Sequence, residues 1–261
     1  MKNLKKYIVG GFAMLAFLSC EKEEITPATD QNETKNLTSN SIGQGGSLAQ
    51  FTIIDSYLYS IDSKSIHVFD LSNSNQPELV NSVDLGFGIE TIHANSGNLF
   101  IGTTTGVRII DASDPVNIVE VSEFRHVTSC DPVVANTDYA FSTLRGGTDC
   151  GGWTNQLDII SIQNINNPTL SHSFPLTNPW GLGIDMLAPE ILYVCDGTDG
   201  LKVFDISNSN NIELIKHYSG ILAKDVISTK QGTLIVLGLD AVFQYNSEDP
   251  LNLTLNSEIV I

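Results

Sequence analysis

The chain has 261 residues, of which 30 are acidic and 13 are basic, so its formal net charge is −17. That balance repels phosphate groups, which bind through clustered lysine and arginine. It therefore argues against a nucleic-acid-binding protein and against a domain that adheres to anionic lipid. Apolar residues make up 41% of the sequence, which is enough for a packed core and excludes a wholly disordered chain.

The first nineteen residues are predicted to be a signal peptide. The basic segment MKNLKK precedes an apolar run, Tyr7–Leu18, and a small residue, Ser19, comes next. The run is shorter than the roughly 20 residues that span a bilayer. A retained short anchor is the alternative. Cleavage before Cys20 removes three of the 13 basic residues, so the mature chain carries 10 basic and 30 acidic residues, or −20.

The residues around the cleavage site predict a lipid anchor. The segment Phe17-Leu18-Ser19-Cys20 resembles a bacterial lipobox, which implies that Cys20 becomes the lipidated first residue. The next four residues, Glu21–Glu24, resemble the Lys-acidic-acidic export signal of Bacteroidota surface lipoproteins. These resemblances imply an outer membrane lipoprotein displayed at the cell surface, or otherwise held on the periplasmic face. Two or more acyl chains would anchor it stably.

Residues 20–46 are expected to form the lipidated cysteine and a flexible tether. Large apolar side chains are scarce between Ile25 and Gly46, whereas Thr, Asn, Ser, Gln and Gly are abundant. Such a composition buries too little surface to offset the entropy of ordering.

Residues 47–261 consist of five copies of one unit. The clearest element is an alternating apolar strand that ends in Asp or a substitute: IHVFD (66–70), VRIID (107–111), LDIIS (157–161), LKVFD (201–205) and VFQYN (242–246). Two short strands precede it in each unit, and a polar turn and a fourth strand follow it. Four strands repeated every forty-odd residues are typical of a β-propeller. We therefore expect an all-β fold, a five-bladed propeller in which blade five packs on blade one without a swapped strand.

The repeated strand also resembles a known family. VRIIDASDP, from Val107, and LKVFDISNS, from Leu201, match the repeat of the LVIVD-repeat proteins, which are common among Bacteroidota lipoproteins. The resemblance covers residues 43–261. It implies a propeller on the cell surface or in the periplasm, but no particular activity.

The strand-ending Asp and Asn residues and the cysteines of the repeats are predicted to have mainly structural roles. Asp70, Asp111, Asp205 and Asn246 end the third strands, where such side chains fix turns by accepting backbone N–H bonds. Cys130, at the start of a first strand, and Cys150, in the loop between strands two and three of that blade, should share one end. They are predicted to form a disulfide in an oxidising compartment. Cys195, within a second strand, is expected to be a free buried thiol.

One end of the propeller is the candidate ligand face. First strands begin there, and the loops from strand two to three and from strand four to the next blade lie there too. Loops on a rigid scaffold are where binding residues concentrate. The candidate ligand-binding residues are Glu90, His126, Asp131, Arg145, Trp153, Trp180 and Asp225. Carboxylates at one mouth would favour a cation or a polar ligand, although a solvated acidic rim and a tryptophan plug are the structural alternatives.

Three classes of function remain open. The first is a non-catalytic surface protein that binds a protein or a glycan. The second is a saccharide-acting hydrolase or lyase, which would need two carboxylates across one cleft, with Asp131, Asp185 and Glu90 as candidates. The third is a structural subunit of a surface assembly. The sequence contains no nucleophile elbow, phosphate loop or HExxH motif, so no catalytic residue and no cofactor are assigned.

Overall fold

The computed structural model describes residues 45–126, 132–147, 152–208 and 211–261. They form twenty strands in five four-stranded antiparallel sheets, each made from four consecutive strands. The predicted five-bladed propeller is thereby confirmed, without a swapped strand. No helix in the described residues is long and apolar enough to cross a membrane.

Each blade runs from an inner first strand to an outer fourth strand. Blade one consists of β1 (Phe51–Ile54), β2 (Tyr57–Ile61), β3 (Ser65–Asp70) and β4 (Glu78–Asp84). Blade two consists of β5 (Ile89–Asn95), β6 (Asn98–Thr103), β7 (Gly106–Asp111) and β8 (Val119–Arg125). Blade three consists of β9 (Val133–Ala135), β10 (Tyr139–Leu144), β11 (Gln156–Ser161) and β12 (Thr169–Pro175). Blade four consists of β13 (Leu182–Ile184), β14 (Ile191–Cys195), β15 (Leu201–Asp205) and β16 (Glu213–Tyr218). Blade five consists of β17 (Asp225–Ser228), β18 (Thr233–Leu237), β19 (Ala241–Asn246) and β20 (Thr254–Val260).

In four of the five blades the Asp or Asn that ends the third strand fixes a turn, as predicted. The Asp70 carboxylate accepts the Ser72 N–H at 2.7 Å, and Asp111, Asp205 and Asn246 make the same contact two residues on. The hydrogen bonds from Ser72 hold the pKa of Asp70 below its usual range. Shortly before this residue, the pairing between strands three and four shifts register in all five blades. The repeated shift is a β-bulge that the sequence pattern did not reveal.

The apolar core consists of four layers between consecutive blades. Buried side chains of blades one and two, two and three, three and four, and four and five form four separate clusters. Within the described ranges, no such cluster joins blade five to blade one. The expectation that blade five packs on blade one is therefore wrong for the apolar core.

The burial of the second strands shows the same difference between the blades. In β10 and β14, which lie in the middle of the arc, every residue is buried, so both faces of the sheet are covered. In β18 the burial alternates, with Leu234 and Val236 buried and Ile235 partly exposed. Strand β2 likewise buries Tyr59 and Ile61 but not Leu58. Blades one and five thus each have one face that no neighbouring blade covers.

This asymmetry gives a direct test in two adjacent residues. Leu234→Ala should lower the free energy of unfolding by about 2–5 kcal/mol, because it leaves a cavity between blades four and five. Ile235→Ala should cost about 1 kcal/mol or less, since that side chain is already partly solvated. Denaturant unfolding of both variants measures the difference, and equal large losses would mean that blade five is covered on both faces.

Candidate functional site

A cavity of about 240 Å³ opens at the predicted ligand face. We call this end of the propeller, where first strands begin, the loop face. Glu90 and Thr91 of β5 line the cavity together with Arg145, which follows β10, and Trp180, which precedes β13. Leu48, Gln50, Pro132 and Pro179 complete the lining. Three of the seven predicted ligand-binding residues, Glu90, Arg145 and Trp180, therefore meet in one cavity.

Trp180 is held in place rather than free to stack on a ligand. The Arg145 guanidinium lies 3.5 Å from the centre of its ring, and the Lys224 ammonium lies 5.5 Å from it. Its backbone N–H donates to the Cys195 carbonyl at 2.7 Å, and its carbonyl accepts from the Thr143 hydroxyl. The side chain also packs against the buried cluster of blades four and five. These contacts favour the structural alternative, in which Trp180 plugs the channel mouth.

The charge balance of this cavity differs from the predicted acidic mouth. Burial lowers the pKa of the Arg145 guanidinium, and the negative charge of Glu90 opposes that shift. Lys224 brings a second cation to the same indole ring. Among the residues whose placement is described, no group of three or more His, Cys, Asp or Glu could hold a metal ion. The described part of the mouth thus combines cations, an aromatic ring and one carboxylate.

Asp225 lies deeper and joins blade five to the segment that precedes blade one. The Ser47 hydroxyl donates to its Oδ1 at 3.2 Å, and that hydroxyl oxygen accepts the Leu182 N–H at 2.8 Å. Gly46 and Gly181 approach so closely that a Cβ at either would overlap the carboxylate. Burial raises the pKa of Asp225 to about 6, although hydrogen bonds from Val226, Ser47 and Leu48 oppose the shift. Asp225 is therefore a link across the open side, and the structure gives it partners within the chain.

The loop that carries Trp180 depends on a buried ion pair that the sequence did not predict. Asp196 accepts the N–H groups of Thr177 at 3.0 Å and Asn178 at 2.6 Å, and it pairs with the Lys202 ammonium. Lys202 also contacts Asp199 at 2.7 Å. Although burial lowers the pKa of Lys202, these carboxylates hold it above its usual value. The sequence feature that could have predicted this ion pair is CDGTDGLK, residues 195–202, in which two aspartates precede a lysine on a buried strand.

Of the other predicted residues, those that the structure describes do not line the cavity. Trp153 is 95% exposed, and its backbone lies against Gly146 in the loop after β10. His126 lies at the end of β8 with its ring tilted against Phe124. Asp131, Cys130, Cys150 and Cys20 fall outside the described residues, so the disulfide and the lipid anchor stay predictions. Cys195 is a free buried thiol, as expected, and burial raises its pKa.

A second cavity, of about 360 Å³, lies at the opposite end of the channel, where first strands end. His93 faces it, and burial lowers the pKa of this imidazole to about 4. Asp185 also lines it, accepting hydrogen bonds from Tyr193, Ser228 and two backbone N–H groups. Glu90 and Asp185 thus line different cavities. They are not the carboxylate pair across one cleft that a glycosidase requires.

Comparisons with known proteins support the fold and the repeat. Residues 191–219, which contain all of β14, β15 and β16, match the LVIVD repeat. A functionally unknown protein from Desulfotomaculum acetoxidans is similar in structure, with a TM-score of 0.63 and 11% identity; the match covers 80% of this chain and 69% of that one.

Two further solved structures are similar. A protein from Lactobacillus plantarum gives a TM-score of 0.62 and 15% identity over 81% of this chain and 68% of that one. The β-propeller domain of Swd1 from Myceliophteria thermophila gives a TM-score of 0.55 and 13% identity. That match covers 78% of this chain and 68% of the other. No curated protein matches the sequence. At these identities the likeness concerns the fold alone.

The Asp225 link predicts a pH dependence of stability. A raised native pKa means that the folded chain keeps this proton up to about pH 6, whereas the unfolded chain loses it near pH 4. The contribution of Asp225 is therefore complete below about pH 4 and falls, by up to about 3 kcal/mol, as the pH rises to 6. Denaturant unfolding of the wild type and Asp225→Asn across this range should show that fall only in the wild type. If the free energy of unfolding varied with pH in the same way in both proteins, the raised pKa of Asp225 would be contradicted.

The two tryptophans should differ in their effect on stability. Trp180→Ala removes a ring packed on the core and under Arg145, and should lower the free energy of unfolding by about 2–4 kcal/mol. Trp153→Ala should change it by less than about 0.5 kcal/mol, since the ring is exposed. Thermal melts monitored by circular dichroism compare the two, and a stable Trp180→Ala protein would argue against the plug.

Proposed function

We propose that this protein is a non-catalytic binding protein whose loop face recognises a protein or a glycan. The observation that carries the proposal is the pair of exposed aromatic rings on that face: Phe87, 89% exposed in the loop before β5, and Trp153, 95% exposed. Binding residues concentrate in loops on a rigid scaffold, and a ligand that covers these two rings would remove their apolar surface from water.

The chemistry of the loop face supports a polar ligand with flat apolar surfaces. An aromatic ring stacks on the apolar face of a sugar or of another ring, and nearby polar groups fix its orientation. Arg145 and Glu90 supply such groups in the adjacent cavity. Asp185 and Glu90 line different cavities, so these two candidates do not form the carboxylate pair that a hydrolase would need.

The binding proposal is tested on a panel of soluble polysaccharides by affinity electrophoresis. Trp153→Ala and Phe87→Ala should each reduce retardation at least fivefold without changing the melting temperature. Leu187→Ala is the matched control, because Leu187 is an exposed apolar residue in the loop between β13 and β14, at the opposite end. Equal retardation of all variants would contradict the loop face as the site, and release of shorter saccharides would indicate an enzyme.

We also propose that the binding domain is tethered to the outer membrane through Cys20, with the loop face available to a ligand. The sequence support is the lipobox-like Phe17–Cys20 and the acidic residues that follow. Metabolic labelling with a fatty acid should mark the wild type and leave Cys20→Ala unlabelled. Cys195→Ala serves as the control and should label like the wild type. Equal labelling of Cys20→Ala would end the lipoprotein hypothesis.

A further inference from the structure

The cavity of about 360 Å³ at the end of the channel opposite the loop face takes no part in the binding proposed above. We call it the channel cavity. Its walls come mainly from the first strands of four blades, β5, β9, β13 and β17, and Gly45 lines it from the segment before blade one. Small-molecule sites have volumes of about 300–1,000 Å³, so the channel cavity has the size of a site for a small ligand.

The inner part of the channel cavity is apolar. Leu182 and Val226 line it near the starts of β13 and β17, and Ile184 and Met186 continue the wall towards the mouth. Apolar walls offer water few hydrogen bonds. A ligand group that displaces such loosely held water with apolar surface therefore gains affinity.

The mouth of the channel cavity is polar. Asn95 ends β5, Asn136 and Thr137 follow β9, and all three residues line the cavity. An apolar interior behind a rim of amide and hydroxyl groups fits a ligand that is apolar at one end and polar at the other.

His93 of β5 supplies a hydrogen-bond acceptor to this cavity. Its ring donates to the backbone carbonyl of Ala135 on the neighbouring strand β9. Burial lowers the pKa of the imidazole to about 4, so near pH 7 the ring is neutral and its second nitrogen is an acceptor. In the described part of the chain this second nitrogen has no hydrogen-bond partner. It is therefore available to a hydroxyl or N–H group of a ligand.

The charges around the channel cavity favour an uncharged ligand. Among the described lining residues, the charged side chains are Asp185 and Lys230. Asp185 Oδ1 accepts two backbone N–H groups and Oδ2 accepts the hydroxyls of Tyr193 and Ser228, so this carboxylate fixes the wall and has no acceptor position left for a ligand. Its buried charge repels an anion, whereas the attraction of the exposed Lys230 is screened by solvent.

We propose that the channel cavity binds a small uncharged molecule that has an apolar body and one hydroxyl or N–H donor, such as an aryl alcohol. The apolar body lies against Ile184 and Val226, and the donor bonds to the free nitrogen of His93. Polar atoms at the outer end of the ligand reach Asn95 and Asn136. The channel cavity and the loop face lie at opposite ends of the propeller, so this site is independent of the ligand that the loop face recognises.

The probe is 2-naphthol, an uncharged aryl alcohol. Since an apolar cavity of about 150 Å³ holds benzene, the channel cavity has room for two fused rings. Binding to the full protein is followed by NMR of the methionine methyl groups. Of the three methionines in the sequence, Met186 lines the cavity, and Met186→Leu identifies its signal. 2-Naphthol should shift that signal saturably, with a Kd of about 0.01–1 mM.

The matched control ligand is 2-methoxynaphthalene, which has the same rings but no donor. It should bind roughly fivefold or more weakly, because it leaves the His93 acceptor unpaired. In His93→Phe the two ligands should bind alike. His67→Phe is the matched control variant, since His67 is a partly exposed strand histidine of blade one, and it should keep the preference for 2-naphthol.

Four results would overturn the proposal. The first is a Met186 signal that 2-naphthol does not shift, and the second is equal binding of both ligands to the wild type. The third is a preference for 2-naphthol that persists in His93→Phe. The fourth is 2-naphthoate binding as tightly as 2-naphthol, because the site would then accept an anion. The wild-type comparisons test the proposal even if His93→Phe does not fold.

Discussion

Each blade of this propeller is a thin sheet whose apolar side chains are stable only when a neighbouring blade covers them. That requirement organises the molecule. The buried layers between consecutive blades hold β6, β10 and β14 with almost no exposed residue, whereas β2 and β18 bury every second residue. Where the row of blades ends, a sheet face is left without a neighbouring blade to cover it. In this chain it ends at the outer faces of blades one and five.

The loop face is built on that scaffold by polar contacts near the axis. The Asp225 carboxylate draws the Gly46–Ser47 segment against blade five, and Ser47 continues the connection to β13. The ion pair of Lys202 with Asp196 fixes the loop that presents Trp180, and Trp180 in turn holds Arg145. Trp180 and Asp225, which the sequence suggests as ligand contacts, thus act as supports, whereas the aromatic rings of Phe87 and Trp153 are exposed.

The repeat pattern predicted the fold because every unit carries the same local signals: alternating apolar residues, a strand-ending Asp, and a polar turn. Those signals are short-range, and the hydrogen bond from Ser72 to Asp70 recurs in four blades. The gathering of Glu90, Arg145 and Trp180 followed from strand direction alone. The roles of Trp180, Asp225 and Lys202 could not be predicted, because each depends on a partner from another blade or loop whose approach no periodicity encodes. The open side was missed for a related reason: Ile235 and Leu234 are equally apolar, and only their neighbours distinguish them.

The openness of the arc is the claim on which this account rests most heavily, and thiol reactivity measures it directly. Ile235→Cys and Leu234→Cys place a thiol on the two faces of one strand, and labelling by a maleimide under native conditions is corrected for the wild type. Ile235→Cys should react within minutes, as should Leu58→Cys on blade one, while Leu234→Cys should react only when the protein is unfolded. Equal protection of Cys at 234 and 235 would show that blade five is packed on both sides and that the ring is closed.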